Sequence, residues 1–155
     1  MPMNSIALLQ TLLQRAEADR DTAITVLRQA EALVQRAEAQ ARQLSDYRSE
    51  YDQRWTERFR QQGSPELLHC RRGFGERLDQ AITHQHTNTA QLGNRVQQAR
   101  EVLLAREQRV AAVRKLIERR QAELLAIAAR RDQRATDEAA QRAAGRGHPL
   151  ALLSS

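Results

Sequence analysis

Apolar residues recur at alternating steps of three and four along both halves of this 155-residue chain. In the first half, eleven of twelve positions in the series from Ile6 to Leu44 are apolar. In the second half, eleven of fifteen positions from Leu78 to Ile127 are apolar. A heptad stripe sustained over such a length is typical of helices that pack along a narrow coiled-coil seam. The pattern therefore predicts two long α-helices.

The two series define the residues that should form the seam. The first comprises Ile6, Leu9, Leu13, Ala16, Arg20, Ala23, Leu27, Ala30, Val34, Ala37, Ala41 and Leu44. The second comprises Leu78, Ile82, Gln85, Thr89, Leu92, Val96, Ala99, Leu103, Arg106, Val110, Val113, Ile117, Arg120, Leu124 and Ile127. Five alanines in the first series would let a partner helix approach closely, although alanine is also simply a good helix former.

The strongest chain-reversal signal between the two series is Gly63-Ser64-Pro65. Gly63 suits the left-handed position that follows a helix, Ser64 suits an N-cap, and Pro65 suits the first position of a new helix. Glycines at 73 and 75 should weaken that helix again. We therefore predict a helix over about 5–62, a bend with a short helix over about 63–75, and a helix over about 76–140.

Two apolar stripes of similar length, joined by a short connection, should fold back on each other because each then buries the other. The predicted fold is all-α: an antiparallel two-helix coiled-coil hairpin with a short helical piece near the bend. One domain should cover residues 1–145, and residues 146–155 should form a flexible tail. The alternative is that each seam pairs with another chain, but the short bend favours the hairpin.

All five aromatic residues lie between positions 47 and 74, on both sides of the bend. They are Tyr47, Tyr51, Trp55, Phe59 and Phe74. The first four follow one another at steps of four, and each step advances about 40° beyond a full helical turn. These rings cannot all face one seam, so some must face outward or be covered by a third segment.

Several classes of function find no support in the residues. The histidines lack metal-ligand spacing, no phosphate-binding loop motif is present, and Cys70 is the single cysteine. We predict no catalytic site, no cofactor and no metal. No apolar run approaches the roughly 20 residues needed to span a bilayer, and the N-terminus lacks the basic start of a signal peptide. Acidic residues interleave with the arginines, which argues against nucleic acid as a partner and favours a solvated helix face.

Three sequence elements resemble the FliJ family of flagellar export proteins. They are LSDYRSEY at 44–51, an F-x-x-x-L-x-x-A-I element formed by Phe74, Leu78, Ala81 and Ile82, and AQRAAGR at 140–146. The wider family includes stalk proteins of injectisome-type secretion systems. The D-Y-x-x-E-Y and AQRAA elements favour the flagellar branch.

The resemblance implies a non-enzymatic central stalk of type III export. Such a protein is an antiparallel two-helix coiled coil that binds the hexameric export ATPase and promotes its assembly. It also contacts the cytoplasmic domain of the export-gate protein FlhA and binds export chaperones. The expected location is cytoplasmic and peripheral to the inner-membrane export apparatus, without a membrane span. A chaperone-escort adaptor with no effect on the ATPase, and an injectisome stalk, remain alternatives.

The resemblance also implies a gate-binding surface near the bend. Carried over position by position, it comprises Gln40, Leu44, Tyr47, Tyr51, Phe74, Leu78, Ala81 and Gln85. The last position is usually histidine in the family, whereas here it is Gln85, with His84 one residue earlier. The alternative is that these residues are only the hydrophobic plug of the bend.

Positive charge is concentrated in the second half of the chain. Residues 1–94 hold 12 basic and 12 acidic side chains, whereas residues 95–155 hold 13 basic and 7 acidic. The excess predicts a salt-sensitive contact with the ATPase. We expect it to involve Arg119, Arg120, Arg130, Arg131 and Arg134.

Overall fold

The computed structural model describes residues 2–61 and 63–153, with side chains described for residues 6–61 and 63–146. Helix α1 spans Pro2–Gln61 and helix α2 spans Pro65–Leu153. These two helices are the only regular elements in the described residues, and Gly63 and Ser64 lie between them. The prediction of an all-α hairpin of two long helices is confirmed.

Helix α2 begins as the sequence predicts. The backbone N–H of Leu67 donates to the hydroxyl of Ser64 at 3.2 Å, and that of Leu68 donates to the carbonyl of Ser64 at 3.1 Å. Ser64 is therefore the N-cap and Pro65 the first helical residue. The expectation for Gly63 is wrong, because no described glycine has a positive φ.

The predicted short helix over 63–75 is wrong, because α2 continues through Gly73 and Gly75 without interruption. Each glycine costs about 1 kcal/mol relative to alanine in a helix interior. Contacts with α1 offset this cost: the ring of Phe74 packs against Tyr51 at an interplanar angle of 51°, and Gly75 is buried beside Arg48. Tertiary packing here overrides a local preference.

The predicted end of the second helix near residue 140 is also wrong. The backbone of α2 is helical to Leu153, so Gly145 and Pro149 do not end it. Extension of an existing helix needs no new nucleation, which makes a weak segment easier to add at its end. The side chains of 147–153, and residues 154–155, lie outside the described residues, so the flexible tail stays a prediction.

The chain divides into two compact units, of which the larger is Ala18–Glu107. In this unit, cross-helix contacts join Glu31 to Arg100 at 3.9 Å and Arg48 to Asp79 at 3.0 Å. Residue numbers rise along α1 as they fall along α2, so the two helices run antiparallel. The core of this unit comprises Ala23, Ala37, Gly75, Leu78, Val96 and Ala99.

The second unit combines Met1–Glu17 with Gln108–Ser155. Arg114 donates to Glu17 at 3.4 Å across the two helices. The buried residues of this unit are Ala16, Val110, Val113 and Ile117. From Leu125 to Arg146 every side chain is exposed. The prediction of a single coiled-coil domain over 1–145 stays a prediction.

The predicted seam matches the observed burial. All twelve positions of the first series are buried or half-buried. So are fourteen of the fifteen positions of the second series, the exception being Ile127. Three of the five seam alanines (Ala16, Ala23 and Ala37) belong to the buried core, which supports close approach of the helices.

Candidate functional site

The aromatic residues near the bend divide between buried and exposed positions. The ring of Tyr51 lies 4.8 Å from Phe74 on α2 and 5.9 Å from Trp55, centre to centre. Tyr51 and Trp55 are half-buried, whereas Tyr47 is 48% exposed and Phe59 is 43% exposed. The four-residue spacing predicts that these rings do not all face the seam, but it does not predict which of them are exposed.

The eight residues of the predicted gate-binding surface differ in exposure. Four of them are exposed: Gln40, Tyr47, Phe74 and Ala81. Three are half-buried (Leu44, Tyr51 and Gln85), and one, Leu78, is buried. Leu78 is only 8% exposed and packs in the seam, so it supports the surface from beneath rather than facing a partner. We call the other seven residues the tip surface.

Gln85 connects the two helices within the tip surface. Its side-chain amide donates to the backbone carbonyl of Ala37 at 3.1 Å and to the side-chain oxygen of Gln40 at 3.3 Å. A shallow depression of about 490 Å³ lies beside this connection and is lined by Gln40, Gln43, Leu44, Tyr47 and Gln85. At the position where the sequence resemblance implies a histidine, this chain therefore has an amide that fixes one wall of the depression.

Arg48 forms a second connection between the helices, close in sequence to the contact between Tyr51 and Phe74. Its Nε donates to Asp79 on α2 at 3.0 Å, and its Nη1 donates to Asp52 one turn further along α1. Arg71 lies 3.8 Å from the same Asp52 carboxylate. The hydrogen bond to Asp79, together with both carboxylate charges, raises the pKa of Arg48. We call these four residues the Arg48 cluster.

Gly75 makes room for the Arg48 cluster. A Cβ at position 75 would lie 3.2 Å from Nη2 of Arg48, closer than ordinary van der Waals contact. The absence of a side chain therefore lets the guanidinium reach across to Asp79. This cluster was not predicted from the sequence. The opposite charges of Arg48 and Asp52 at i,i+4 could have indicated the ion pair within α1. Nothing in the sequence identified Asp79 as the partner on α2.

Replacement of the two nearby glycines should separate their roles. Gly73→Ala is expected to raise the free energy of unfolding by about 0.8–1 kcal/mol, the helix preference of alanine over glycine. Nothing lies within 4 Å of a Cβ at position 73. Gly75→Ala should gain clearly less, because its Cβ displaces the guanidinium of Arg48 from Asp79. Urea denaturation measures both values, and equal gains would contradict this role of Gly75.

The five arginines of the predicted ATPase contact are not equivalent. Arg119, Arg130, Arg131 and Arg134 are exposed. Arg120 is half-buried at a seam position and donates to Glu123 at 2.9 Å. Its Nε is buried without a hydrogen-bond partner in the part of the chain that the structure describes. Arg120 therefore belongs to the seam, and the other four are available to a partner.

Metal and membrane sites have no counterpart in the described residues. Within the described ranges, no three histidine, cysteine, aspartate or glutamate side chains group closely enough to hold a metal ion. Neither described helix contains a segment that is long and apolar enough to cross a membrane.

One comparison with known proteins covers most of the chain. The family model described as "Flagellar FliJ protein" matches residues 5–148. The chain belongs to the FliJ family. This FliJ-family protein is accordingly a component of the flagellar export apparatus, a type III secretion system, and the resemblance seen in its sequence is confirmed. No curated protein and no solved structure matches the chain.

Proposed function

We propose that this FliJ-family protein links the hexameric export ATPase to the export gate. In this proposal, the tip surface binds the cytoplasmic domain of FlhA. The exposed part of α2 in the second unit binds the ATPase and promotes its assembly. The observation that carries the proposal is the exposure of Tyr47 and Phe74, in a chain whose aromatic residues all lie near the bend.

The tip surface has the composition of a protein-binding hot spot. Aromatic residues dominate the energetics of interfaces because they bury a large area with few rotatable bonds. Phe74 is 38% exposed, yet its ring is held against Tyr51. The Arg48 cluster and Gln85 fix the two helices on which these rings lie. A surface ordered before binding loses less conformational entropy when a partner docks.

The proposed ATPase contact has a different chemistry. Residues 125–146 are exposed and hold five basic and three acidic side chains. Arg130, Arg131 and Arg134 lie within two turns of one another. Exposed arginines attract an acidic partner over a distance and pair with its carboxylates in two-point hydrogen bonds. The contact should therefore weaken as salt concentration rises.

The protein would act by binding rather than by catalysis, at the cytoplasmic side of the export apparatus. Binding of export chaperones is part of the same proposal, since a protein that contacts both ATPase and gate is suitably placed to receive cargo. The rival function is that of an adaptor which escorts chaperones without affecting the ATPase.

Measurement of ATP hydrolysis by the cognate ATPase tests the proposal. We expect the protein to raise hydrolysis severalfold at ATPase concentrations where the hexamer is incomplete, because it stabilises the assembled ring. Analytical ultracentrifugation of the same mixtures should show a larger hexamer fraction. A chaperone-escort adaptor would leave both hydrolysis and assembly unchanged, and that result would contradict the proposal. Motility of a deletion strain that expresses this chain provides the cellular readout.

A further inference from the structure

A second apolar feature lies in the Ala18–Glu107 unit, separate from the tip surface. It is a groove of about 650 Å³ between α1 and α2. Val26, Leu33 and Val102 stand along its edges and are between 43% and 49% exposed. The seam alanines Ala23, Ala30 and Ala99 are also among its lining residues. We call this feature the valine groove.

The valine groove follows from the small side chains of the seam. Alanines let the two helices approach closely, but they leave the space beside them unfilled. Large apolar side chains that border such a space mark a surface whose burial against a partner is favourable because it excludes water. The tip surface and the arginines of the proposed ATPase contact lie outside this part of the protein.

We propose that the valine groove pairs with the valine groove of a second copy of this chain. The two edges match each other in position as well as in kind. Since α1 and α2 run antiparallel through Glu31–Arg100 and Gln40–Gln85, Val26 lies level with Val102 across the groove. A two-fold axis parallel to the helices would place each Val26 on the Val102 of the partner. The four helices then alternate in direction, as they do in antiparallel bundles.

The charges at the ends of the groove complement each other under the same symmetry. Asp19 precedes Val26 by two turns on α1, and Arg106 follows Val102 by one turn on α2, so both line the same end. In the pair, α1 of one copy lies against α2 of the other. The carboxylate of each Asp19 then comes within reach of the long Arg106 side chain of the second copy. Leu33 and Arg95 both line the groove, and at its opposite end the pair would place Leu33 of one copy beside the aliphatic stem of Arg95 of the other.

The size of the groove sets the strength of the pairing. Twelve residues line it on each copy, about half of the roughly 20–30 residues per side in a stable protein interface. The pair should therefore be weak, with a dissociation constant of about 10 μM to 1 mM, and it should exchange with free monomers.

Sedimentation equilibrium of the full chain over a wide concentration range tests the pairing. The weight-average mass should rise from one copy toward two as concentration increases. Val26→Glu should keep the protein monomeric, since it would bring a carboxylate into an apolar contact twice in each pair. Leu104→Glu is the matched control, because Leu104 is 56% exposed, compared with 49% for Val26, but lies outside the groove. It should dimerise as the wild type does.

Cysteine cross-linking tests the geometry of the pair independently. In a Cys70→Ser background, Val26→Cys and Val102→Cys are made as separate proteins and mixed under mild oxidation. The 26–102 cross-link should form at least severalfold faster than the 26–26 or 102–102 cross-links. A wild type that stays monomeric at all concentrations, a Val26→Glu variant that dimerises normally, or a dominant 26–26 cross-link would each overturn the proposal.

Discussion

Simultaneous replacement of Tyr47 and Phe74 by alanine is expected to weaken binding of the FlhA cytoplasmic domain about a thousandfold. Truncation of a hot-spot residue costs about 2 kcal/mol or more, and 1.4 kcal/mol corresponds to a factor of ten in affinity. Tyr47 is 48% exposed and Phe74 is 38% exposed, and Phe74 also packs against Tyr51, so the loss of affinity has to be separated from any loss of stability. Isothermal titration calorimetry measures the affinity, and circular dichroism checks that helix content stays near wild type.

Phe59→Ala is the matched control for this double variant. Phe59 is an exposed aromatic residue near the end of α1, with an exposure between those of Tyr47 and Phe74, but it lies outside the tip surface. Its replacement should leave gate binding within about twofold of wild type, as expected for a residue outside the hot spot. Loss of helix in the double variant would instead identify the aromatic residues as the hydrophobic plug of the bend. Unchanged affinity with intact helix would contradict the tip surface as the gate-binding site.

The second large effect is expected at the exposed end of α2. Arg130→Glu, Arg131→Glu and Arg134→Glu together should weaken ATPase binding about a hundredfold at low salt. Each exposed ion pair contributes about 0.2–1 kcal/mol, and charge reversal replaces that attraction by repulsion of similar size. All three side chains are exposed, so the helix should tolerate the change. Fluorescence titration at low and high salt measures the loss, which should shrink as salt screens the charges.

A charge-matched variant distinguishes a local contact from an effect of net charge. Arg28, Arg36 and Arg42 are also exposed, and they lie on α1 in the other unit. Their reversal changes net charge by the same amount and should leave ATPase binding close to wild type. An equal loss in both variants would show that only the overall charge matters, and would remove the proposed contact at residues 130–134.

Much of the fold could be predicted from the sequence because burial repeats with the helical period. Local sequence patterns predict the seam series, the Ser64 cap and the outward orientation of some aromatic rings. The continuity of α2 through Gly73 and Gly75 could not be predicted in this way. It depends on Arg48 and Tyr51, which lie on the other helix and reach the glycine segment only in the folded chain.

The candidate site was predictable in position but not in detail. Leu78 belongs both to the seam series and to the gate-binding surface that the resemblance implies. The structure decides between the two roles, because it shows that Leu78 is buried. Asp79 could not be identified as the partner of Arg48, because a heptad pattern permits several alignments of two helices. A slip of seven residues returns apolar positions to the seam and changes only the specific contacts.

The same ambiguity bears on how the chain folds. Hairpins slipped by one heptad would bury similar apolar surface, so they compete as kinetic traps. The Arg48–Asp79 and Gln85–Gln40 contacts exist in one alignment alone. Arg48 and Asp79 are 31 residues apart, whereas Glu17 and Arg114 are 97 apart. Because shorter loops close at lower entropic cost, we expect the alignment to be chosen beside the bend and the remaining helix contacts to form outward from there.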